Sequence, residues 1–276
     1  MTDDPRITLN DNHAIPQIGL GVFLTPNDVV QSVVQTALQS GYRHIDTAAA
    51  YQNEEGVGEG IRASGIARDE IFVTTKVWND DQGYDRTLRA LEASLNRLKL
   101  DQVDLYLIHW PSPQRDLYVE TWKALIRARE QGLTRSIGVS NFEIEHLDRL
   151  IEETGITPVL NQIEIHPRFQ QKRLRQANTD RGIRTESWSP LGRGRLLTDP
   201  VILRIADRHG RTPAQVIIRW HLDSGLIVIP KSVNASRIRD NHDVFGFALD
   251  ADDLAAIAKL DESSGRIGPN PMTATF

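Results

Sequence analysis

Residues 103–109 read VDLYLIH, an apolar strand-like run that stops at a polar side chain. Six further runs share the design. GYRHI stops at Asp46, IFVTT at Lys76, and TRSIGV at Ser140 and Asn141. PVLN continues to Gln162, IRTES stops at Trp188, and LIVIP stops at Lys231. A parallel β/α barrel produces this pattern, because all its strand ends open onto one face where side chains remote in sequence meet.

Between these runs the apolar period changes to that of helices. In residues 27–40, Val29, Val30, Val33, Val34, Ala37 and Leu38 share one face, and Gly41 supplies a stop. In residues 84–98, Leu88, Leu91, Leu95 and Leu98 form a stripe. Strands are expected at 42–45, 71–75, 103–108, 135–139, 159–163, 183–187 and 226–229. Helices are expected near 27–40, 53–64, 84–98, 116–130, 143–153, 170–180, 199–209, 213–224, 235–243 and 250–260. With 19–23 as the first strand there are eight strand–helix units. That number closes an α/β fold into a (β/α)8 TIM barrel, expected as one domain over residues 1–276. A doubly wound open sheet is the competing architecture. Residues 7–15 read as an N-terminal β-hairpin around Asn10-Asp11-Asn12, and residues 261–276 as a short C-terminal tail, a surface tail or lid.

The chain has 276 residues, 39% of them apolar and 25% charged, with a formal net charge of −5. A mildly acidic chain without clustered Lys and Arg argues against nucleic acid. Absence of cysteine excludes disulfides, thiolate metal sites and cysteine nucleophiles. The opening MTDDPRITLN has no basic segment leading into an apolar one, and no apolar run approaches the roughly 20 residues of a membrane span. The expectation is a cytoplasmic, monomeric protein with a small-molecule substrate and no membrane partner.

Four strand-end residues are chemically complementary. Tyr51 is a weak acid at its ordinary pKa of about 10. A nearby ammonium, Lys76, would stabilise the phenolate, and Asp46 would hold Lys76. His109 would donate to a carbonyl oxygen or orient it. The bland alternatives are solvated strand ends and a packed histidine. His44 and Asp46 share one strand face, but no further histidine pair joins them, so no metal site is expected. The Rossmann fingerprint is missing, since Gly19-Leu20-Gly21 lacks a third glycine at the right spacing.

These stretches resemble the aldo-keto reductases. GYRHIDTAAAYQNEEGVG (41–58) is similar to the family's first signature, SIGVSNF (136–142) to a second and IPKSVNASR (229–237) to a third, while TTKVW and DLYLIHWP match around Lys76 and His109. The resemblance runs from about residue 6 to 260. Phrases such as SGIARDEIF, SWSPLG and DVFGFAL are closest to the bacterial 2,5-diketo-gluconate reductase branch. It implies NADPH-dependent hydride transfer to small aldehydes, ketones or dicarbonyls, giving alcohols, with Asp46, Tyr51, Lys76 and His109 catalytic and no metal. It also implies cofactor contacts by Gly21, Val22, Asp46, Ser140, Asn141 and Gln162, and by Trp188, Leu191, Gly192, Arg193 and Gly194. Lys231, Ser232, Val233 and Arg237 would surround the 2′-phosphate, and Asp240 and Asn241 the adenine. Two cations there favour NADPH/NADP+ over NAD(H). Phe23, Tyr51, Trp78, His109 and Trp110, with Phe276 at the rim, would line the substrate mouth, which the short tail would leave open. The alternative is an NADPH-binding regulatory or interaction subunit with little turnover.

Overall fold

The computed structural model describes residues 5–276. The chain begins with an antiparallel hairpin of β1 (Arg6–Thr8) and β2 (Ala14–Pro16). Its turn holds Asn12 at a φ of 70°, a left-handed position that asparagine tolerates. The body then alternates β3 (Leu20–Gly21), α1 (Asn27–Gln39), β4 (His44–Asp46), α2 (Glu54–Ser64), β5 (Phe72–Val77), α3 (Tyr84–Leu98), β6 (Val103–Ile108) and α4 (Tyr118–Glu130). It continues through β7 (Thr134–Ser140), α5 (Ile144–Thr154), β8 (Leu160–Glu164), α6 (Lys172–Asp180), β9 (Arg184–Trp188), α7 (Pro200–His209), α8 (Pro213–Asp223), β10 (Ile227–Val228), α9 (Ala235–His242) and α10 (Ala251–Ala258).

Strands β3 to β10 form one parallel sheet in sequence order. The two ends meet: Val228 N donates to Gln17 O at 3.0 Å, Gly19 N to Val228 O at 2.9 Å, and Gly21 N to Pro230 O at 3.2 Å. A parallel bridge between Ile18 and Val228 completes the contact. The (β/α)8 barrel is therefore the architecture, and the open sheet is excluded by these bonds.

Burial explains why the strands read as they do. All residues of β5 and β6 are buried, since helices cover one sheet face and the barrel interior the other. Five of the six residues named on α1 are buried, and Val29 at its edge is exposed. A small apolar cluster fills the lower interior: Leu9 and Ile15 from the hairpin pack with Phe72, Leu105, Leu107, Leu160 and Ile227. The hairpin thus plugs the amino end of the barrel. Boundaries differ modestly from expectation, chiefly at 226–229, where only Ile227–Val228 pair as strand. Among the described residues no helix is long and apolar enough to cross a membrane.

Candidate active site

Asp46 ends β4 and Lys76 is the penultimate residue of β5. Parallel pairing aligns the two strands, and Lys76 Nζ reaches Asp46 Oδ1 at 2.6 Å and the Thr47 carbonyl at 2.8 Å. Asp46 Oδ2 accepts from Gln162 Nε2 at 2.8 Å. Burial works against the Lys76 ammonium, but Asp46 and its neighbours outweigh it and raise the lysine pKa. Tyr51 sits on one turn of 3-10 helix, Ala49–Tyr51, directly above. Lys76 Nζ lies 5.2 Å from its ring centroid. His109 follows β6 and meets the Tyr51 ring edge-on at 5.6 Å. Burial, followed by the Lys76 charge, lowers the His109 pKa well below its usual value, so the imidazole is neutral near pH 7.

Burial pushes the Tyr51 pKa up; Lys76 pulls it down, as expected of a nearby ammonium, but less strongly, and Asp46 adds to the rise. Tyr51 therefore holds its proton more firmly than a free phenol, because the cost of a desolvated phenolate exceeds the gain from one ammonium already paired with Asp46.

A second cluster adjoins the first. Ser140 Oγ donates to the Gln162 carbonyl at 2.8 Å. Asn141, at a φ of 63°, turns its side chain back so that Nδ2 donates to the His109 carbonyl at 2.9 Å. Trp188 Nε1 donates to Asn141 Oδ1 at 2.9 Å, which fixes the indole. Both clusters open into one cavity of about 1720 Å³ at the carboxyl ends of the strands. Its walls also carry Gly21, Leu191, Arg193, Gly194, Lys231, Ser232, Val233, Arg237, Asp240 and Asn241. Two expected contacts do not face it: Val22 turns into the apolar core, and Gly192 packs against Leu196. Lys231 and Arg237 flank the start of α9, where Asn234 accepts from the Ser236 and Arg237 backbone N–H groups. Neither cation forms an ion pair among the described residues. A cavity of this size, lined by a fixed indole and by two cations without ion pairs among the described residues, fits a nicotinamide dinucleotide carrying an extra phosphate.

Phe23, Trp78, Trp110 and Phe276 form the aromatic wall beside Tyr51 and His109. The short tail packs beside this wall. Ile267 N and Gly268 N donate to the two oxygens of buried Glu164, at 2.6 and 2.8 Å. Farther on, Phe276 stacks on Trp78 at 5.7 Å and its carbonyl accepts from Asn79 Nδ2 at 3.0 Å. The tail is a strap across the mouth. Glu164 and Glu186, both absent from the sequence reading, had one available signal: each lies two residues from a named strand-end residue and so shares its face.

A family model described as the aldo/keto reductase family matches residues 18–262. The chain is 58% identical over 272 residues to an aldo-keto reductase of Mycolicibacterium smegmatis, covering 99% of this chain and 98% of that one. It is 54% identical over 273 residues to the methylglyoxal reductase DkgA of Escherichia coli, covering 98% of each. Among solved structures, a mutant of Gox0644 in complex with NADPH matches with a TM-score of 0.96 at 56% identity, covering 99% of both chains. The aldo-keto reductase of Bombyx mori in complex with NADP matches with a TM-score of 0.88 at 41% identity, over 95% of this chain and 94% of that one. Barrel, strand-end cluster and match over nearly the whole length agree: the chain belongs to the aldo/keto reductase family.

Proposed function

We propose that the chain reduces small aldehydes, ketones and dicarbonyls with NADPH, using Tyr51 as the general acid. NADPH-dependent carbonyl reduction follows from the family and from the NADPH and NADP complexes of its relatives. The finer reading rests chiefly on one observation: Tyr51, Asp46 and His109 line the cavity together, and Lys76 is buried behind them, paired with Asp46 and 5.2 Å from the Tyr51 ring centroid. Methylglyoxal, the dicarbonyl named for the relative DkgA, suits a mouth walled by Trp78 and Phe276.

When bound, the cofactor supplies a hydride to the carbonyl carbon. Neutral His109 orients the carbonyl oxygen. Tyr51 delivers its proton to that oxygen as negative charge develops, and the phenolate left behind is stabilised by Lys76. Asp46 keeps Lys76 in place. Lys231 and Arg237 would hold the 2′-phosphate, Trp188 the nicotinamide, and Ser140, Asn141 and Gln162 its carboxamide. The strap from Ile267 to Phe276 lends Pro269 and Phe276 to the wall of the mouth. The test is NADPH oxidation with methylglyoxal, a 2,5-diketo sugar acid and a monofunctional aldehyde. Higher kcat/KM for the dicarbonyls supports the substrate class; preference for a bulky monoaldehyde refutes it.

A further inference from the structure

A second buried carboxyl lies beneath the Tyr51 cluster. Glu186, on β9, is 0% exposed. Its Oε2 accepts from Gln162 Nε2 at 2.6 Å, and the same nitrogen donates to Asp46 Oδ2 at 2.8 Å. Both amide hydrogens of Gln162 are thereby committed to carboxyl oxygens inside the barrel. A flipped amide would set its oxygen against both carboxyls, so Gln162 turns Oε1 toward the cavity it lines. The other Glu186 oxygen, Oε1, has no hydrogen-bond partner. It faces His44 Nδ1 at 3.8 Å, which is also unpartnered. The opposite nitrogen of His44 is 3.1 Å from Thr74 Oγ1. Gly19 makes room for this ring: a Cβ there would lie 2.5 Å from His44 Nδ1.

We propose that Glu186 is a positioning residue for carbonyl reduction. Through the Gln162 amide it sets both the carboxylate that holds Lys76 and the acceptor that Gln162 offers to the cofactor carboxamide. The proposal rests on the roles given above to Tyr51, Lys76, Asp46 and Gln162.

The groups around Glu186 are His44 and Asp46 from β4, Lys76 from β5 and Gln162 from β8. Burial, and then the Asp46 charge, push its pKa up to about 8. At neutral pH it is a carboxylic acid, and the interior holds one carboxylate, Asp46, for one ammonium. Ionisation above that point adds a second anion, which raises the Tyr51 pKa further. The reductive direction, in which Tyr51 gives a proton, tolerates this. The oxidative direction, in which Tyr51 must accept one, is delayed to higher pH.

Two variants test the role. Glu186→Leu removes the acceptor and leaves an amide hydrogen of Gln162 without a partner. The NADPH Kd, read by fluorescence quenching without turnover, is expected to rise about tenfold, with a fall in kcat for reduction. Glu186→Gln keeps an acceptor and cannot ionise. It should rescue most of the NADPH affinity, and the rising limb of the NADP+-linked alcohol oxidation profile should move to lower pH by about one unit. Wild-type Kd and kcat in Glu186→Leu, or an unshifted limb in Glu186→Gln, would overturn the proposal. If Glu186→Leu does not fold, the Glu186→Gln profile decides alone. A Tyr51→Phe variant with wild-type reduction would sink the acid assignment instead, and the Kd comparison at Glu186 would still be read.

Discussion

Lys76 Nζ lies 2.6 Å from Asp46 Oδ1 in the barrel interior, where neither side chain is more than 2% exposed. Removing one partner of such a pair leaves the other desolvated and uncompensated. Lys76→Met should therefore cost about 3–5 kcal/mol of stability, and Asp46→Asn combined with it should recover much of that loss. Activity should follow a different course, falling in both variants because neither offers a cation to the Tyr51 phenolate. Denaturant midpoints set beside turnover numbers separate the two effects.

Tyr51→Phe removes only the hydroxyl. The ring contacts with Phe23 at 5.1 Å and His109 at 5.6 Å can persist. Loss of a general acid is expected to lower kcat by about 10²–10⁴-fold, while NADPH affinity stays near the wild-type value. Steady-state kinetics and cofactor titration check the two halves of this outcome, and undiminished kcat would place the acid elsewhere.

The barrel and the meeting of Asp46, Lys76 and His109 were legible in the sequence because both follow from local pattern: apolar runs, period changes, and a polar residue at each stop. What was not legible has physical causes. The Tyr51 pKa depends on a balance of burial against charge that spacing cannot express. Glu186 and Glu164 matter through partners far along the chain, Gln162 and the backbone of 267–268, and tertiary pairing alone reveals those. The strap was legible only as a surface tail or lid, because a Gly- and Pro-rich segment carries no periodicity, whatever it later binds.

Lys231 and Arg237 face the cavity without carboxylate partners among the described residues. A phosphate dianion there gains charge-assisted hydrogen bonds worth about 1.5–3 kcal/mol each. Replacing both by alanine should raise the NADPH Kd about 10²-fold or more and leave the NADH Kd nearly unchanged. Calorimetric titration with both nucleotides reads this directly; a parallel loss for NADH would mean the two cations grip something other than the 2′-phosphate.

Stability should peak slightly on the acid side of neutrality. Burial lowers the pKa of His44 and His221 to about 3, and that of His109 well below its usual value. Below about pH 6.5 the unfolded chain binds protons that these folded imidazoles refuse, so stability falls as pH falls. Glu186 acts oppositely. Its folded pKa of about 8 means the native state keeps a proton that the unfolded chain has lost above about 4.5, so stability falls as pH rises to 8. His146, also lowered, joins the first trend, and Asp46 and Glu143, also raised, join the second; four histidines outweigh three carboxyls below pH 6.5, and Glu186 acts without the histidines above it. Melting temperatures should therefore be highest near pH 6.5, and Glu186→Gln should flatten the decline from there to pH 8.

Gly268 is where the strap meets the cofactor side of the cavity. A Cβ at this position would fall 2.5 Å from Trp188 Cη2 and 3.0 Å from Glu164 Oε2. Trp188 resists displacement because its indole nitrogen is held by Asn141, and the mobile partner is the backbone hung on Glu164. Gly268→Val should thus lift the strap, break the two Glu164 bonds and release Phe276 from Trp78. Loss of that aromatic wall, worth about 0.5–1.5 kcal/mol beyond its buried area, should raise KM for small dicarbonyls several-fold with a smaller change in kcat. Phe276→Ala, which leaves Trp188 untouched, should raise KM in the same way. If KM moves in Gly268→Val alone, the effect comes from the nicotinamide side through Trp188, and the strap does not wall the substrate pocket.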